Sequence, residues 1–186
     1  MATPAPLCDT HDLEAFSTMV AGARTDHRED AVMLEAVEGG FRALLRNARP
    51  PDSWPSEPVS YQRVHHDESV HVFAMTMMPG AASDIHGHGT WGLVGQMAGT
   101  ETEESYGVGP GDSHGVVLER TGCRALSPGD VTRILPPGSD LHRVVNRGQV
   151  PSTTLHAFSH DLLSEGFVVY RPALYRAERY CGAWPG

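Results

Sequence analysis

The spacing of apolar residues changes once along this chain. From Thr10, residues Leu13, Phe16 and Val20 recur at i, i+3 and i+7, which predicts a helix with Thr10 as its cap. After Asp26, a second stripe runs through Met33, Val37, Phe41 and Leu44. Gly39-Gly40 either weakens that second helix near its middle or marks its end. Pro50, Pro51, Pro55 and Pro58 fall within residues 47–58, so that stretch reads as a linker. From Val59 onward the period shortens to two. Alternating segments predict strands at 59–65, 69–77, 91–97, 102–106, 115–118, 131–135, 142–145, 153–158 and 166–170. Between them lie the turn signals Pro79-Gly80, Gly109-Pro110-Gly111-Asp112, Pro128-Gly129-Asp130 and Pro136-Pro137-Gly138. Many short strands at this spacing point to a β-sandwich or barrel. The expected organisation is one structural unit. Residues 1–57 form a tail, two helices and a Pro-rich linker packed on the barrel. Residues 58–186 form the barrel with a C-terminal tail packing over it or a neighbour.

Composition narrows the function. At 186 residues, with 40% apolar and 20% charged positions, the chain is long enough for one real core. A net charge of -9 argues against nucleic-acid binding. No apolar run is long enough to span a bilayer, and the start lacks the basic and apolar regions of a signal peptide. The expectation is a cytoplasmic protein without nucleic-acid or membrane partners, monomeric or homodimeric. Cys8, Cys123 and Cys181 are widely spaced and odd in number, which suits free thiols. All 14 basic residues are arginines. Schiff-base chemistry and a P-loop lysine are therefore excluded.

The chemistry concentrates on histidine. His86-Gly87-His88 in a strand puts both imidazoles on one face, and His142 can complete the set from a distant strand. Neutral imidazole suits first-row transition metals. Three of them leave open coordination positions and an uncompensated positive charge, which welcomes an anionic ligand. A thiolate suits iron, and coordination lowers a thiol's pKa. Zn would also fit three His, as a hydrolytic site. His65 and His66 are adjacent, so only one of them can face a pocket. His11, His27 and His114 read as surface residues. Met75, Met77 and Met78 read as core filler. The acidic, Gly-rich stretch 101–115 is a candidate lid.

Gly80, His86-x-His88 and Gly99, followed by Pro137-Gly138, His142 and Asn146, resemble the two signatures of the cupin family. That resemblance implies a mainly β jelly-roll barrel with the α-helices N-terminal to it. There is no Glu from Gly89 to Thr100, where the family usually supplies a carboxylate ligand. Further runs resemble the thiol dioxygenases, the cysteine and 3-mercaptopropionate dioxygenase branch of that family, over roughly residues 58–162. They are Tyr61-Gln62-Arg63, His86-Gly87-His88-Gly89-Thr90-Trp91-Gly92, Gly129-Asp130-Val131, residues 136–146 and Leu155-His156-Ala157-Phe158.

The resemblance implies Fe(II) on His86, His88 and His142, with O2 as co-substrate. It implies Arg63 as the holder of a substrate carboxylate, and His156 as an outer-sphere catalytic group. Gln62, Tyr61, Trp91 and Phe158 are the further substrate-contacting candidates. The chain departs from the family at several points. Thr154 and Phe158 replace the Ser and Tyr of its Ser-His-Tyr network. Gly87 stands where Asp is usual, and Met77 or Met78 where Trp is common. Gly92 falls where animal enzymes carry a crosslinked cysteine, so that thioether cannot form. Tyr106 or Tyr170 could restore the missing hydroxyl.

The expected activity is oxidation of a small carboxylate-bearing thiol to a sulfinate, with L-cysteine first and 3-mercaptopropionate second. The alternatives are a biosynthetic cysteine-oxidising enzyme giving a rearranged product such as a sulfonamide, a metal cupin acting on a non-thiol substrate, and a non-catalytic binding protein.

Overall fold

A computed structural model describes residues 5–109, 117–171 and 176–180. Two helices come first, α1 (Thr10–Asp26) and α2 (Asp30–Asn47). Nine strands follow: β1 (Val59–His66), β2 (His71–Met77), β3 (Ile85–Gly87), β4 (Gly92–Ala98), β5 (Glu101–Val108), β6 (Leu118–Leu126), β7 (Val131–Ile134), β8 (His142–Val145) and β9 (Ser152–Phe158). A single turn of helix, α3 (Leu162–Glu165), leads into β10 (Phe167–Arg171) and β11 (Arg176–Tyr180).

The N-terminal helices follow the predicted stripes, with two differences. Asp9 caps α1 by accepting the backbone N–H of His11 at 2.8 Å, and Thr10 is the first helical residue. A carboxylate also suits the positive end of the helix dipole. Gly39-Gly40 does not end α2, which continues to Asn47 because Val37, Phe41, Leu44 and Leu45 bury one continuous face.

The strands form two antiparallel sheets, ordered β1-β2-β9-β4-β7 and β11-β10-β3-β8-β5-β6. This is the jelly roll that the resemblance implies. Alternation sorts the side chains of the five-stranded sheet. Val72, Ala74, Leu93, Leu155 and Ala157 point outward into the core shared with α1 and α2. Phe73, Met75, Val94 and His156 point inward and line a cavity between the sheets.

Two strands differ from the expectation. β3 has only three residues and carries no alternation long enough to read. β6 runs nine residues, and most of its side chains face solvent, so its sequence looks like a loop. Residues 115 and 116 of the predicted strand at 115–118 lie outside the described residues, and Leu118 opens β6. The C-terminal tail contributes β11, paired with β10 at the sheet edge. The turn from Pro110 to Asp112, His114 and Cys181 also lie outside the described residues. Among the described residues, no helix is long and apolar enough to cross a membrane.

Candidate metal centre

β3 and β8 are neighbours in register, with His86 opposite His142. His88 follows β3 by one residue. One potential ligand atom from each of His86, His88 and His142 lies within 4.8 Å of the others. The three rings therefore converge on one point, from one short strand, its end, and its neighbour.

Each ring has its Nδ1 occupied. His86 Nδ1 lies 3.1 Å from the backbone oxygen of Asp84, His88 Nδ1 lies 3.0 Å from Asp140 Oδ1, and His142 Nδ1 lies 2.8 Å from Glu103 Oε1. A carbonyl or carboxylate oxygen can only accept, so each Nδ1 carries the proton and each Nε2 keeps its lone pair. The Nε2 atoms of His86 and His142 are 3.1 Å apart. Two lone pairs at that distance repel unless a cation lies between them. Two imidazoles at right angles on a metal with bonds of about 2.1 Å are separated by about 3 Å. The donor set thus fits a first-row metal ion.

Electrostatics agree. Burial holds His86 well below the ordinary imidazole range, and the neighbouring His142 and His88 push the same way. Burial likewise lowers His88 to about 4, against the hydrogen bond to Asp140. Both rings are neutral, as metal ligation requires.

The carboxylates behind the rings were not legible as site residues. Burial opposes ionisation of Glu103, but hydrogen bonds from His142 and Arg124 outweigh it and lower the carboxyl to about 2. Asp140 is also buried. Its carboxyl is nevertheless lowered by bonds from the His88 ring and the N–H groups of His88 and Gly89. A divalent metal would therefore have two carboxylates just behind its ligands, one of them, Glu103, shared with Arg124. The charge that three neutral imidazoles leave open is thus reduced from outside the ligand set. Gly87 belongs to the same arrangement, since a Cβ there would lie 3.0 Å from Asp140 Oδ2. The acidic side chain absent from position 87 arrives from Asp140.

The cavity in front of the triad is narrow, about 40 Å³, with walls that include Phe73, Met75, Val94, Leu126, Val144, Leu162, Leu163 and Phe167. Tyr61, Glu101 and His156 supply polar groups. Burial, with Glu101 nearby, keeps the Tyr61 phenol protonated far above its ordinary range. His156 is neutral through burial, reinforced by His88 and His142. Its Nε2 lies 2.8 Å from the Thr154 hydroxyl, while its Nδ1 is buried without a hydrogen-bond partner among the described residues. Phe73 stacks on its ring at 4.6 Å.

The other sequence candidates fall elsewhere. Arg63 lies two residues from Tyr61 on the same face of β1, opposite Phe73, yet it does not line the cavity. Its guanidinium sits at the rim, 47% exposed, paired with Asp161 and Ser164 at the start of α3. Gln62 is exposed and borders an outer groove with Trp54 and Pro55. Trp91 is buried in the core beneath the helices. Phe158 stacks on His88 at 4.6 Å and supports that ligand from behind. A Cβ at Gly92 would lie 2.2 Å from the Phe158 ring, so Gly92 admits the ring that a thioether cysteine would displace. Neither His65 nor His66 faces the cavity, and His65 bonds Asp67 at 2.7 Å. Tyr106 bonds Glu104 at 3.2 Å and brings no hydroxyl to the cavity. Residues 101–108 are not a lid but strand β5, whose Glu101 and Glu103 point inward.

No family model matches the chain. Among solved structures, it resembles a cupin-superfamily sugar phosphate isomerase from Silicibacter pomeroyi, at 17% identity over 69% of this chain and 82% of that one, with a TM-score of 0.46. It also resembles the Cupin_2 domain of an XRE-family transcriptional regulator from Enterobacter cloacae, at 17% identity over 56% of this chain and 99% of that one, TM-score 0.43. An oxalate oxidase bound to glycolate matches at 17% identity over 57% of this chain and 53% of that one, TM-score 0.43. These likenesses say nothing about substrate.

Proposed function

We propose that this chain is a non-heme Fe(II) dioxygenase that oxidises the sulfur of a small thiol to a sulfinate. The observation that supports it most directly is the convergence of the His86, His88 and His142 imidazoles on one point of a largely apolar cavity. The motif resemblance around these ligands selects iron and sulfur over zinc hydrolysis. In the net reaction, both atoms of O2 go to sulfur, and the thiol gives up four electrons. Bound Fe(II) would supply the redox chemistry that brings O2 and sulfur together.

The chain's own residues supply the rest. Glu103, Asp140 and the Asp84 carbonyl orient the ligand rings and fix their tautomers. The apolar walls exclude water from the reacting groups. His156 Nδ1, buried and without a partner among the described residues, offers a hydrogen bond to a bound ligand. Tyr61 stays a phenol and can donate one. A cavity of about 40 Å³ restricts the substrate to a few heavy atoms, for which L-cysteine is the first candidate and 3-mercaptopropionate the second. A substrate carboxylate would have to displace Asp161 to reach Arg63.

The test is anaerobic loading with Fe(II), addition of L-cysteine in air, and parallel recording of oxygen uptake and product mass. A gain of two oxygens, abolished in His86→Ala, supports the proposal. No uptake with L-cysteine or any small thiol refutes it. A decarboxylated or nitrogen-rearranged product would replace sulfinate formation with the biosynthetic alternative.

A further inference from the structure

Glu101 is the cavity group that neither the metal centre nor its supports account for. It opens β5 with its side chain directed inward, and it is 2% exposed. Its position is two residues before Glu103 on the same face, about 7 Å along the strand. One carboxyl oxygen, Oε1, accepts a hydrogen bond from Ser152 Oγ at 2.7 Å. Among the described residues no arginine pairs with it, and it does not join the histidine cluster. Other buried acids here are compensated: Glu103 by Arg124 and His142, and Glu104 by Arg147. A buried carboxyl that faces a ligand cavity without a cation is costly as an anion, and a cationic ligand removes that cost.

We propose that Glu101 recognises the far end of the substrate, and that this end is a protonated amine. This rests on the thiol reading of the metal centre and names the class of thiol, one carrying an ammonium group on a short linker. Three observations support it. The described cavity lining contains two acids and no arginine. The cation that would receive a carboxylate, Arg63, is outside the cavity and bound to Asp161. A ligand that is anionic at its metal end and cationic at the other brings no net charge into the cavity, and its cationic end gives an ionised Glu101 the partner it lacks among the described residues. Burial raises the Glu101 carboxyl to about 7, despite the Ser152 bond and with Glu103 adding to the rise. It can therefore shed its proton when an ammonium arrives. A carboxylate tail in the same place would meet like charge.

The test uses Zn(II)-loaded protein, which binds ligands without turnover, in anaerobic calorimetry. One series is 2-aminoethanethiol, ethanethiol and 3-mercaptopropionate. The other is their oxygen counterparts 2-aminoethanol, ethanol and 3-hydroxypropionate. Within a series, the ammonium ligand should bind about tenfold or more tightly than the carboxylate ligand. Glu101→Gln, which is isosteric and keeps the Ser152 contact, should abolish that preference, and Glu101→Asp should retain part of it. Equal binding, a carboxylate preference, no amine binding, or an amine preference unchanged in Glu101→Gln would overturn the proposal. If Glu101→Gln is unstable, Glu101→Asp carries the comparison, and an amine preference undiminished there overturns the assignment to Glu101. The thiol reading is judged separately: it fails if alcohols bind as well as thiols, whatever the tail.

Discussion

At the scale of the residue, the triad works because each imidazole has one nitrogen committed elsewhere. Spacing alone reveals the three histidines, since i and i+2 in a strand share a face. The acids that set their tautomers carry no such signal. Asp140 is 52 residues from His88, and Glu103 is 39 residues from His142. The one available clue was Asp140, two residues before a ligand. Replacing either acid by its amide leaves the shape but removes a charge-assisted acceptor. Glu103→Gln and Asp140→Asn should each weaken metal affinity by about 10- to 100-fold, measured by competitive metal titration, with circular dichroism unchanged. Glu101 gives a prediction of opposite character. Its folded value of about 7 lies above the ordinary 4.5. Below 4.5 the carboxyl is protonated in both folded and unfolded states and costs nothing. As pH rises through 7, the folded state must either hold a proton or bury a charge, and stability is lost. Glu101→Gln should therefore stabilise metal-free protein at pH 8, on the order of 1–3 kcal/mol, and have little effect at pH 4. Thermal melts at the two pH values check the sign.

At the scale of the element, pattern and outcome part where a strand is short or solvated. β4 and β9 read correctly because their alternation faces two different cores, helices on one side and cavity on the other. β6 did not, because its exposed face removes the apolar signal. The β1 register and the contacts of Arg63 explain why it is absent from the cavity lining. Its parity is that of Tyr61 and its partner Phe73 lines the cavity, but its guanidinium turns to Asp161 and Ser164 at the rim. Asp161 is also held by Ser164 Oγ at 2.7 Å and by the N–H of Leu163 at 3.1 Å. Losing the exposed guanidinium should therefore cost under about 1 kcal/mol. Arg63→Ala should leave affinity for small thiols within about threefold of wild type, since the guanidinium does not line the cavity. Calorimetry on metal-loaded protein measures this, and a much larger loss would return Arg63 to substrate binding. The β4–β9 pair yields a packing test. Gly92→Ala drives a methyl into the Phe158 ring and should cost about 1–3 kcal/mol. Combining it with Phe158→Leu should recover part of that loss in a double-mutant cycle.

At the scale of the whole molecule, the two sheets are not equally secured. The five-stranded sheet is covered on its outer face by α1 and α2, through the largest buried cluster. The six-stranded sheet has β3 in its middle, three residues long and joined to β8 through the single pair His86–His142. β10 and β11 attach to the rest of that sheet through β3. A metal held by His86, His88 and His142 adds a second link between β3 and β8 at the place where the ladder is thinnest. Ligands that bind only the folded state stabilise it by mass action, about 2.7 kcal/mol at 100 times Kd. Here that stabilisation should be local first. Hydrogen exchange should show protection of β3 and β10 rising on metal addition, with β2 and β9 unchanged, because the helix-backed sheet does not depend on the triad. Chelation should reverse the effect, and His142→Ala should remove the metal response. Uniform protection across both sheets would mean that the site forms only with the whole barrel, and that β3 is no weaker than its neighbours.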